Sequence, residues 1–197
     1  LDSHIRPVTD DDGQVVALLI EGIDVSERVE RERMIERLHE ATRALVRCRD
    51  PEAVAEMVVE SVAEILGFPS NVVRFRRGEE LHPVAVSAGA REKLGERPVY
   101  TVGEQFPGQA MAAGDSLLID DLSTVDDGVD RGSQRSALYV PIGDHGVLSI
   151  GDDEVGTFDR ADVALARILV NNAASVLDRL EGERAIRRRE RELARQN

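Results

Sequence analysis

The spacing of apolar residues changes abruptly at Asn71, and this change most constrains the fold of the chain. Over residues 27–66, apolar side chains recur every three or four positions, which predicts amphipathic helices. Over residues 71–152 they occur in short runs separated by glycine and other turn residues, which predicts strands joined by tight turns. Residues 143–146, Gly-Asp-His-Gly, are a strong hairpin signal between two of these runs. An antiparallel sheet is therefore expected in the middle of the chain.

Helices are predicted on both sides of this sheet. Residues 27–47 carry a narrow apolar stripe typical of a coiled-coil seam. Asp50 and Pro51 provide the N-cap and the first residue of a second helix, which Gly67 ends. A third helix begins at Asp159 and continues into a solvated Arg/Glu-rich segment. The stripe of residues 27–47 is Met34, Leu38, Ala41 and Leu45, and that of the third helix is Ala166, Leu169, Ala173, Val176, Leu177 and Leu180. This order of elements predicts an α+β fold.

The charge balance and the cysteine content exclude several classes of function. Acidic residues number 38 against 25 basic ones, which gives a formal net charge of −13. Such a chain repels phosphate backbones, so direct nucleic-acid binding is not expected. Cys48 is the only cysteine, which excludes an intrachain disulfide and a thiol-rich metal site. No run of 18 apolar residues occurs, so no membrane span is expected and a cytoplasmic location is predicted.

The apolar run at residues 14–23 lies apart from the predicted sheet. It follows the turn residues 11–13 and has the composition of a strand. No partner strand is expected close to it in sequence, and a lone strand is not stable. We interpret it as the last strand of a domain whose earlier part precedes this sequence.

The order of the segments over residues 50–180 resembles the GAF family. The matching pieces lie at residues 102–110, 118–121, 136–142, 146–150 and 158–162. The resemblance implies an α+β fold with a central antiparallel sheet of five or six strands and the N- and C-terminal helices packed on one face. It also implies a cavity between the sheet and the segments around residues 106–111 and 119–123.

Residues 13–28 resemble the end of a PAS domain, with Asp24 at the place of that family's exit motif. A strand that ends in a helix N-cap at Asp24 or Ser26 accounts for the same residues. The domain prediction is therefore a PAS end at residues 1–26, a linker helix at 27–49, a GAF domain at 50–180 and an outgoing signalling helix at 181–197.

The flanking helices resemble segments beside GAF domains in haloarchaeal signalling proteins. Lys93 is the only lysine, and scarce lysine with abundant carboxylates is typical of halophilic surfaces. An acidic protein from a GC-rich genome would share these features. Two parent proteins fit: a sensor histidine kinase and a bacterio-opsin-activator-like regulator with a helix-turn-helix.

The resemblance implies six cavity-lining candidates, while the remaining motifs lack the residues that their chemistry needs. The candidate ligand-binding residues are Arg74, Val86, Phe106, Met111, Tyr139 and Ser149. An inward-facing Arg74 would need an anionic partner. The pair Gly103 and Gly108 has P-loop spacing but is followed by Gln-Ala instead of Lys-Ser/Thr. No metal site and no particular cofactor is indicated, and a core without any ligand is the alternative.

Three further motifs have simpler interpretations than the chemistry they resemble. His39 is followed by Glu40 without the nearby proline of a kinase phosphoacceptor, so it is interpreted as a solvated linker histidine. Cys48 is interpreted as a buried, inert thiol. Asp152 and Asp153 stand near the place of the Asn-Lys pair of cyclic-nucleotide-binding GAF domains, where they would repel a phosphate.

The expected function is a sensory relay that is not itself an enzyme. Two copies would form a homodimer through the linker helices, and adjacent PAS and output domains and a small molecule would be the other partners. A change in the cavity would shift the helices and bias an output domain. One alternative is the input region of a bacterio-opsin-activator-like transcription regulator, and another is a ligand-free dimerisation spacer. A third is a methionine-sulfoxide reductase of the GAF fold, which would need cysteines near the cavity.

Overall fold

The computed structural model describes residues 2–9, 14–23, 26–93 and 98–196. It forms two compact units, Leu1–His39 and Glu40–Asn197. Among the described residues, no helix combines the length and the apolarity that crossing a membrane requires.

The first unit contains an antiparallel strand pair. Strand β1 (Asp2–Thr9) pairs with β2 (Val15–Ile23), with Asp2 opposite Ile23 and a bulge between Val8 and Thr9. The expectation that the run at 14–23 has no neighbouring strand close in sequence is therefore wrong. β1 continues through Pro7, which lies opposite Leu18, but a proline within a short run weakens the strand signal in the sequence. Asp24 and the turn residues 11–13 lie outside the described residues.

The remaining elements follow in the predicted order. Helix α1 spans Ser26–Arg47, and α2 (Pro51–Ser61) continues as a π-helical turn, Val62–Leu66. The elements after it are β3 (Asn71–Arg77), β4 (Glu80–Val86), α3 (Ala88–Lys93), β5 (Tyr100–Thr101), α4 (Phe106–Ala113), β6 (Leu117–Ile119), a 3₁₀ turn (Leu122–Thr124), β7 (Ser136–Ile142), β8 (Gly146–Asp152) and α5 (Arg160–Gln196).

Six of these strands form one antiparallel sheet, which confirms the predicted fold class. The strand order is β5-β4-β3-β8-β7-β6, and every neighbouring pair is antiparallel. In the pairing of β3 with β8, Phe75 lies opposite Gly146. A Cβ atom at Gly146 would lie 1.9 Å from the carbonyl oxygen of Arg74, so only glycine allows the two strands to approach this closely.

Helices α2 and α5 cover one face of this sheet. The strands direct alternate residues to this face, among them Val73, Leu138 and Leu148, each fully buried. Every residue of the predicted α5 stripe is also buried. Burying side chains of this size contributes about 1.5–3 kcal/mol each. This layer is the main hydrophobic core of the second unit.

The starts of both helices are capped as the sequence predicts. Asp50 Oδ1 accepts a hydrogen bond from the Ala53 amide at 2.8 Å. Asp159 Oδ1 accepts hydrogen bonds from the Ala161 and Asp162 amides, and the Asp159 amide donates back to Asp162 Oδ2 at 2.9 Å. This reciprocal capping arrangement fixes the residue at which α5 begins.

Helix α4 covers the opposite face of the sheet. A second buried cluster lies here, to which Phe106 and Met111 contribute from α4 and Ala137 and Tyr139 from β7. Strand β7 therefore contacts α4 through one set of side chains and α5 through the alternate set.

Candidate functional site

A cavity of about 390 Å³ opens on the α4 side of the sheet. Its walls come from β3, β5, β7 and β8, from the ends of α3 and α4, and from residues 130–134 of the loop between the 3₁₀ turn and β7. The volume falls within the range of about 300–1,000 Å³ that is usual for ligand pockets. The sheet supplies a fixed floor, while the loop supplies the opposite wall.

The structure brings three of the six candidate residues together at this cavity. Arg74 on β3, Tyr139 on β7 and Ser149 on β8 all line it. Tyr139 and Ser149 are cross-strand partners, so their side chains emerge side by side from the same face.

The other three candidates lie outside the lining. Phe106 and Met111 belong to the hydrophobic cluster between α4 and the sheet. Val86 lies opposite Val72 at the end of β4 and is half-buried. The ligand-binding role of all six residues stays a prediction.

Arg74 is held against the floor of the cavity by two contacts. Its Nη1 donates a hydrogen bond to Ser149 Oγ at 3.1 Å. Its guanidinium carbon lies 4.5 Å from the centre of the Tyr100 ring, which is the geometry of a cation–π contact. Arg74 is only 3% exposed, so a buried cationic group lies directly behind the Ser149 hydroxyl.

A second arginine, the half-buried Arg131, reaches the cavity from the loop. Its two terminal nitrogens bond both oxygens of Asp127, with the Nη1 bond at 2.6 Å. Its Nε donates to the Tyr139 hydroxyl at 3.1 Å, and its guanidinium carbon lies 4.9 Å from the Phe106 ring centre. Asp127 Oδ2 also accepts a hydrogen bond from the Phe106 amide at 3.0 Å, at the N-terminus of α4. One ion pair therefore ties the loop to both α4 and β7.

The electrostatics of this network keep each group in one protonation state. Burial raises the pKa of Tyr139 to about 12, against the opposing effect of Arg131. Burial alone would raise the pKa of Asp127, but the hydrogen bonds from Arg131 and Phe106 hold it below its usual value. At neutral pH the Tyr139 hydroxyl is protonated and the Asp127 carboxylate is charged.

Sequence reasoning missed Arg131 and Asp127. Their i, i+4 spacing is informative only on a helix, and they lie in an irregular loop. The sequence carried no signal that this loop folds back over the cavity.

Two further contacts attach the rim of the cavity to the sheet. Lys93 at the end of α3 forms an ion pair with Asp153, which also accepts a hydrogen bond from Ser133. Gln134 donates to Ser70 Oγ at 3.2 Å. Because Lys93 pairs with Asp153, the negative charge of this carboxylate is partly neutralised, and it would repel a phosphate less than the sequence predicts.

The other predicted motifs do not form sites around this cavity. The amide of Gly103 donates to the carbonyl of Gly108 at 2.8 Å, so the backbone of this segment bonds to itself. Cys48 follows α1 beside Arg179 of α5, and burial raises the pKa of its thiol. His82 pairs with Glu80, and His145 with Asp178 of α5. Among the described residues, no group of three or more His, Cys, Asp or Glu side chains is placed to hold a metal ion.

Comparison with known structures identifies the same fold in proteins of several kinds. A free methionine-R-sulfoxide reductase from Neisseria meningitidis, solved in complex with its substrate, is 17% identical with a TM-score of 0.67, covering 76% of this chain and 91% of its own. The GAF domain of a phosphoenolpyruvate-protein phosphotransferase from Coxiella burnetii has the same identity and TM-score, with 77% and 96% covered. A methyl-accepting chemotaxis protein fragment is 16% identical with a TM-score of 0.59, with 74% and 98% covered.

At these identities the structural likeness establishes the fold alone. No curated protein matches the sequence. The family model of the GAF domain, however, matches residues 48–178, which is most of the second unit and more than half of the chain. Together with the six-stranded antiparallel sheet and its two helical layers, this match shows that the chain belongs to the GAF domain family.

Proposed function

We propose that this chain is the sensory relay module of a multidomain signal-transduction protein. GAF domains are typical of sensory signalling modules, and the observation that carries the proposal is the position of β7. This strand presents Tyr139 to the cavity, while the adjacent residues Leu138 and Val140 are buried on the α5 side. A displacement of β7 at the cavity is therefore transmitted to α5 through neighbouring residues of one strand.

A second contact joins the sheet to α5. His145, in the turn between β7 and β8, hydrogen-bonds Asp178 of α5 through Nε2 at 2.7 Å. The strands that line the cavity thus contact the helix both along their length and at their turn. A bound ligand shifts this assembly only by its difference in affinity for the two states.

The relay proposal is tested by asking whether the cavity retains a small molecule. The chain is equilibrated with a metabolite extract, washed and analysed by native mass spectrometry. A Ser149→Trp variant fills the cavity, while Ala112→Trp places the same side chain on the exposed side of α4. We expect a retained mass in the wild type and in Ala112→Trp that is absent in Ser149→Trp. Equal spectra for all three proteins would contradict a ligand role for the cavity and favour a ligand-free spacer.

We further propose that two copies pair through their flanking helices. Leu177 of the predicted stripe cannot form this pairing surface, because it is 4% exposed and lies in the core of its own chain. Apolar residues that a single chain leaves exposed on α5 are Ile168, Ile186 and Leu193. Ile168 and Ile186 are separated by 18 residues, five full helical turns, and so lie on the same side of α5.

The parent protein is proposed to be a cytoplasmic sensor histidine kinase with a PAS domain before this GAF domain, in a halophilic archaeon. A bacterio-opsin-activator-like regulator is the alternative. The protein sequence on either side of residues 1–197 in the full-length gene product distinguishes the kinase from the regulator. A phosphoacceptor helix and an ATP-binding domain after residue 197 would support the kinase, and a helix-turn-helix would support the regulator.

An enzymatic role is not proposed for this chain. The fold is similar to that of a methionine-R-sulfoxide reductase, but Cys48 lies beside α5 on the other side of the sheet from the cavity. A thiol there cannot attack a substrate bound among Arg74, Tyr139 and Ser149. Incubation with free methionine sulfoxide and a thiol reductant should give no turnover, and measurable reduction would overturn this view.

A further inference from the structure

The direction of two hydrogen bonds fixes what the cavity offers to a ligand. Arg74 donates to the Ser149 hydroxyl oxygen, and Arg131 donates to the Tyr139 hydroxyl oxygen, each at 3.1 Å. A guanidinium has no acceptor, so neither hydroxyl can point its proton back at its arginine. Among the residues that the structure describes, neither hydroxyl proton has an acceptor. Both hydroxyls therefore act as donors toward the cavity that they line.

These donors are polarised by the cations behind them. A hydroxyl that accepts a hydrogen bond from an arginine becomes a stronger donor, because hydrogen bonds in a chain reinforce one another. The raised pKa of Tyr139, about 12, keeps its proton in place across the physiological range. Tyr139 and Ser149 are cross-strand partners, so both donors enter the cavity from neighbouring strands and can serve acceptor oxygens of one compact ligand.

The charge of the lining disfavours a highly charged ligand. Among the described residues of the lining, Arg74, Lys93 and Arg131 are cationic and Asp130 is the carboxylate. Asp127 and Asp153 pair with two of these cations from outside the lining. A polyphosphate needs more positive charge than this balance supplies, whereas a single carboxylate can bind through hydrogen-bond donors.

The rest of the wall is mixed. Val72, Pro98, Pro107 and Ile150 are apolar, whereas Ser70, Asn71 and Gln134 are polar. A ligand for a cavity of about 390 Å³ is therefore compact and can place an apolar part beside its acceptor oxygens.

We propose that the cavity binds a compact organic carboxylate whose oxygens accept from the hydroxyls of Ser149 and Tyr139. This inference rests on the proposed sensory function and adds the chemical class of the signal. The arginines act behind the hydroxyls, so they position and polarise the donors.

Matched pairs of acids and amides test the proposal. Benzoate with benzamide and succinate with succinamide are titrated into the wild-type chain by calorimetry at constant ionic strength, with inorganic phosphate as a third probe. We expect at least one carboxylate to bind about tenfold tighter than its amide, and phosphate to bind more weakly than that carboxylate. Ser149→Ala and Tyr139→Phe should each weaken carboxylate binding about tenfold, because each removes one donor to a charged group.

Ser136→Ala is the matched control. It removes a buried hydroxyl of β7 that donates to Glu154 outside the cavity, so carboxylate affinity should not change. Amides that bind as tightly as the acids would overturn the inference while leaving a ligand-binding cavity intact. Binding of neither class, or binding unaffected by both donor variants, would also overturn it. The metabolite-retention experiment then decides separately whether the cavity has a sensory role.

Discussion

The Arg131–Asp127 pair shows how a single interaction fixes a loop that has no regular structure of its own. The two side chains are 12% and 5% exposed, so each is largely removed from water. Breaking a buried pair from one side leaves an uncompensated charge and typically costs about 3–5 kcal/mol, while replacing both partners costs much less.

We therefore expect Arg131→Met to destabilise the chain by roughly 3 kcal/mol. The double variant Asp127→Asn/Arg131→Met should recover more than half of this loss, because no charge remains buried. Urea unfolding of Arg131→Met, Asp127→Asn and the double variant measures the coupling energy between the two side chains. Additive losses would show that the two groups do not act as a pair.

Tyr139 gives a prediction on the alkaline side. Its pKa is raised to about 12 in the folded chain, while an unfolded tyrosine titrates near 10. The contribution of the protonated Tyr139 to the free energy of unfolding is therefore complete below about pH 10. It is lost as the pH rises from 10 to 12, because the unfolded chain loses the tyrosine proton first. A shift of this size corresponds to about 2–3 kcal/mol.

The free energy of unfolding of the wild type should fall more steeply over pH 10 to 12 than that of Tyr139→Phe. Since the chain has two tyrosines and no tryptophan, phenolate absorbance follows the titration directly. Parallel curves for the wild type and Tyr139→Phe would contradict the assignment.

At the residue scale, the family resemblance explains which cavity residues could be predicted. It implied Arg74, Tyr139 and Ser149, and the two-residue alternation of their strands places all three side chains on the cavity face. Arg131 and Asp127 lie in a loop whose path depends on tertiary contacts, and no local pattern encodes that path. The lining of the cavity was therefore predictable on its floor and not on its loop side.

At the scale of elements, α4 depends on one close approach. A Cβ atom at Gly108, in the first turn of α4, would lie 1.9 Å from the carbonyl oxygen of Thr101. At Gly182, in the exposed part of α5, a Cβ atom would meet no atom within 4 Å. These two glycines therefore serve opposite purposes in helices of the same chain.

The same substitution should consequently have opposite effects at the two positions. Gly108→Ala must displace α4 from β5 and is expected to destabilise the chain by about 1–3 kcal/mol. Gly182→Ala should stabilise it by about 0.5–1 kcal/mol, because alanine loses less conformational entropy in a helix. Denaturant unfolding measures both changes, and a neutral Gly108→Ala would show that α4 can move away from Thr101 without cost.

Element boundaries were predictable where capping chemistry is local. Asp50 and Asp159 cap their helices as their sequence context indicates, and the α5 stripe is buried as its period requires. Strand β1 was missed because Pro7 interrupts a short polar run. The antiparallel pairing of β3 with β4 and of β7 with β8 was predictable, because a tight turn joins the two strands of each pair. The pairing of β3 with β8 joins strands that are far apart in sequence, and no local signal indicates it.

At the scale of the whole molecule, net charge opposes the proposed association. Two copies that each carry a formal charge of −13 repel one another at low ionic strength. At molar salt the screening length falls to about 3 Å, and apolar contacts can then dominate. Dimerisation through α5 should therefore strengthen with salt, which is the opposite of an association held by ion pairs.

The dimer seam can be tested on residues that a single chain leaves exposed. Ile168 and Ile186 are 47% and 61% exposed, so glutamate at either position should leave the monomer folded while placing a charge in the seam.

In molar salt we expect sedimentation velocity to show a dimer for the wild type and a monomer for Ile168→Glu and Ile186→Glu. Val155→Glu changes a similarly exposed residue before α5 and should remain dimeric. If the wild type is monomeric in molar salt, or if both α5 variants stay dimeric, α5 does not form the seam. Strand β7 would then transmit its displacement within one chain only.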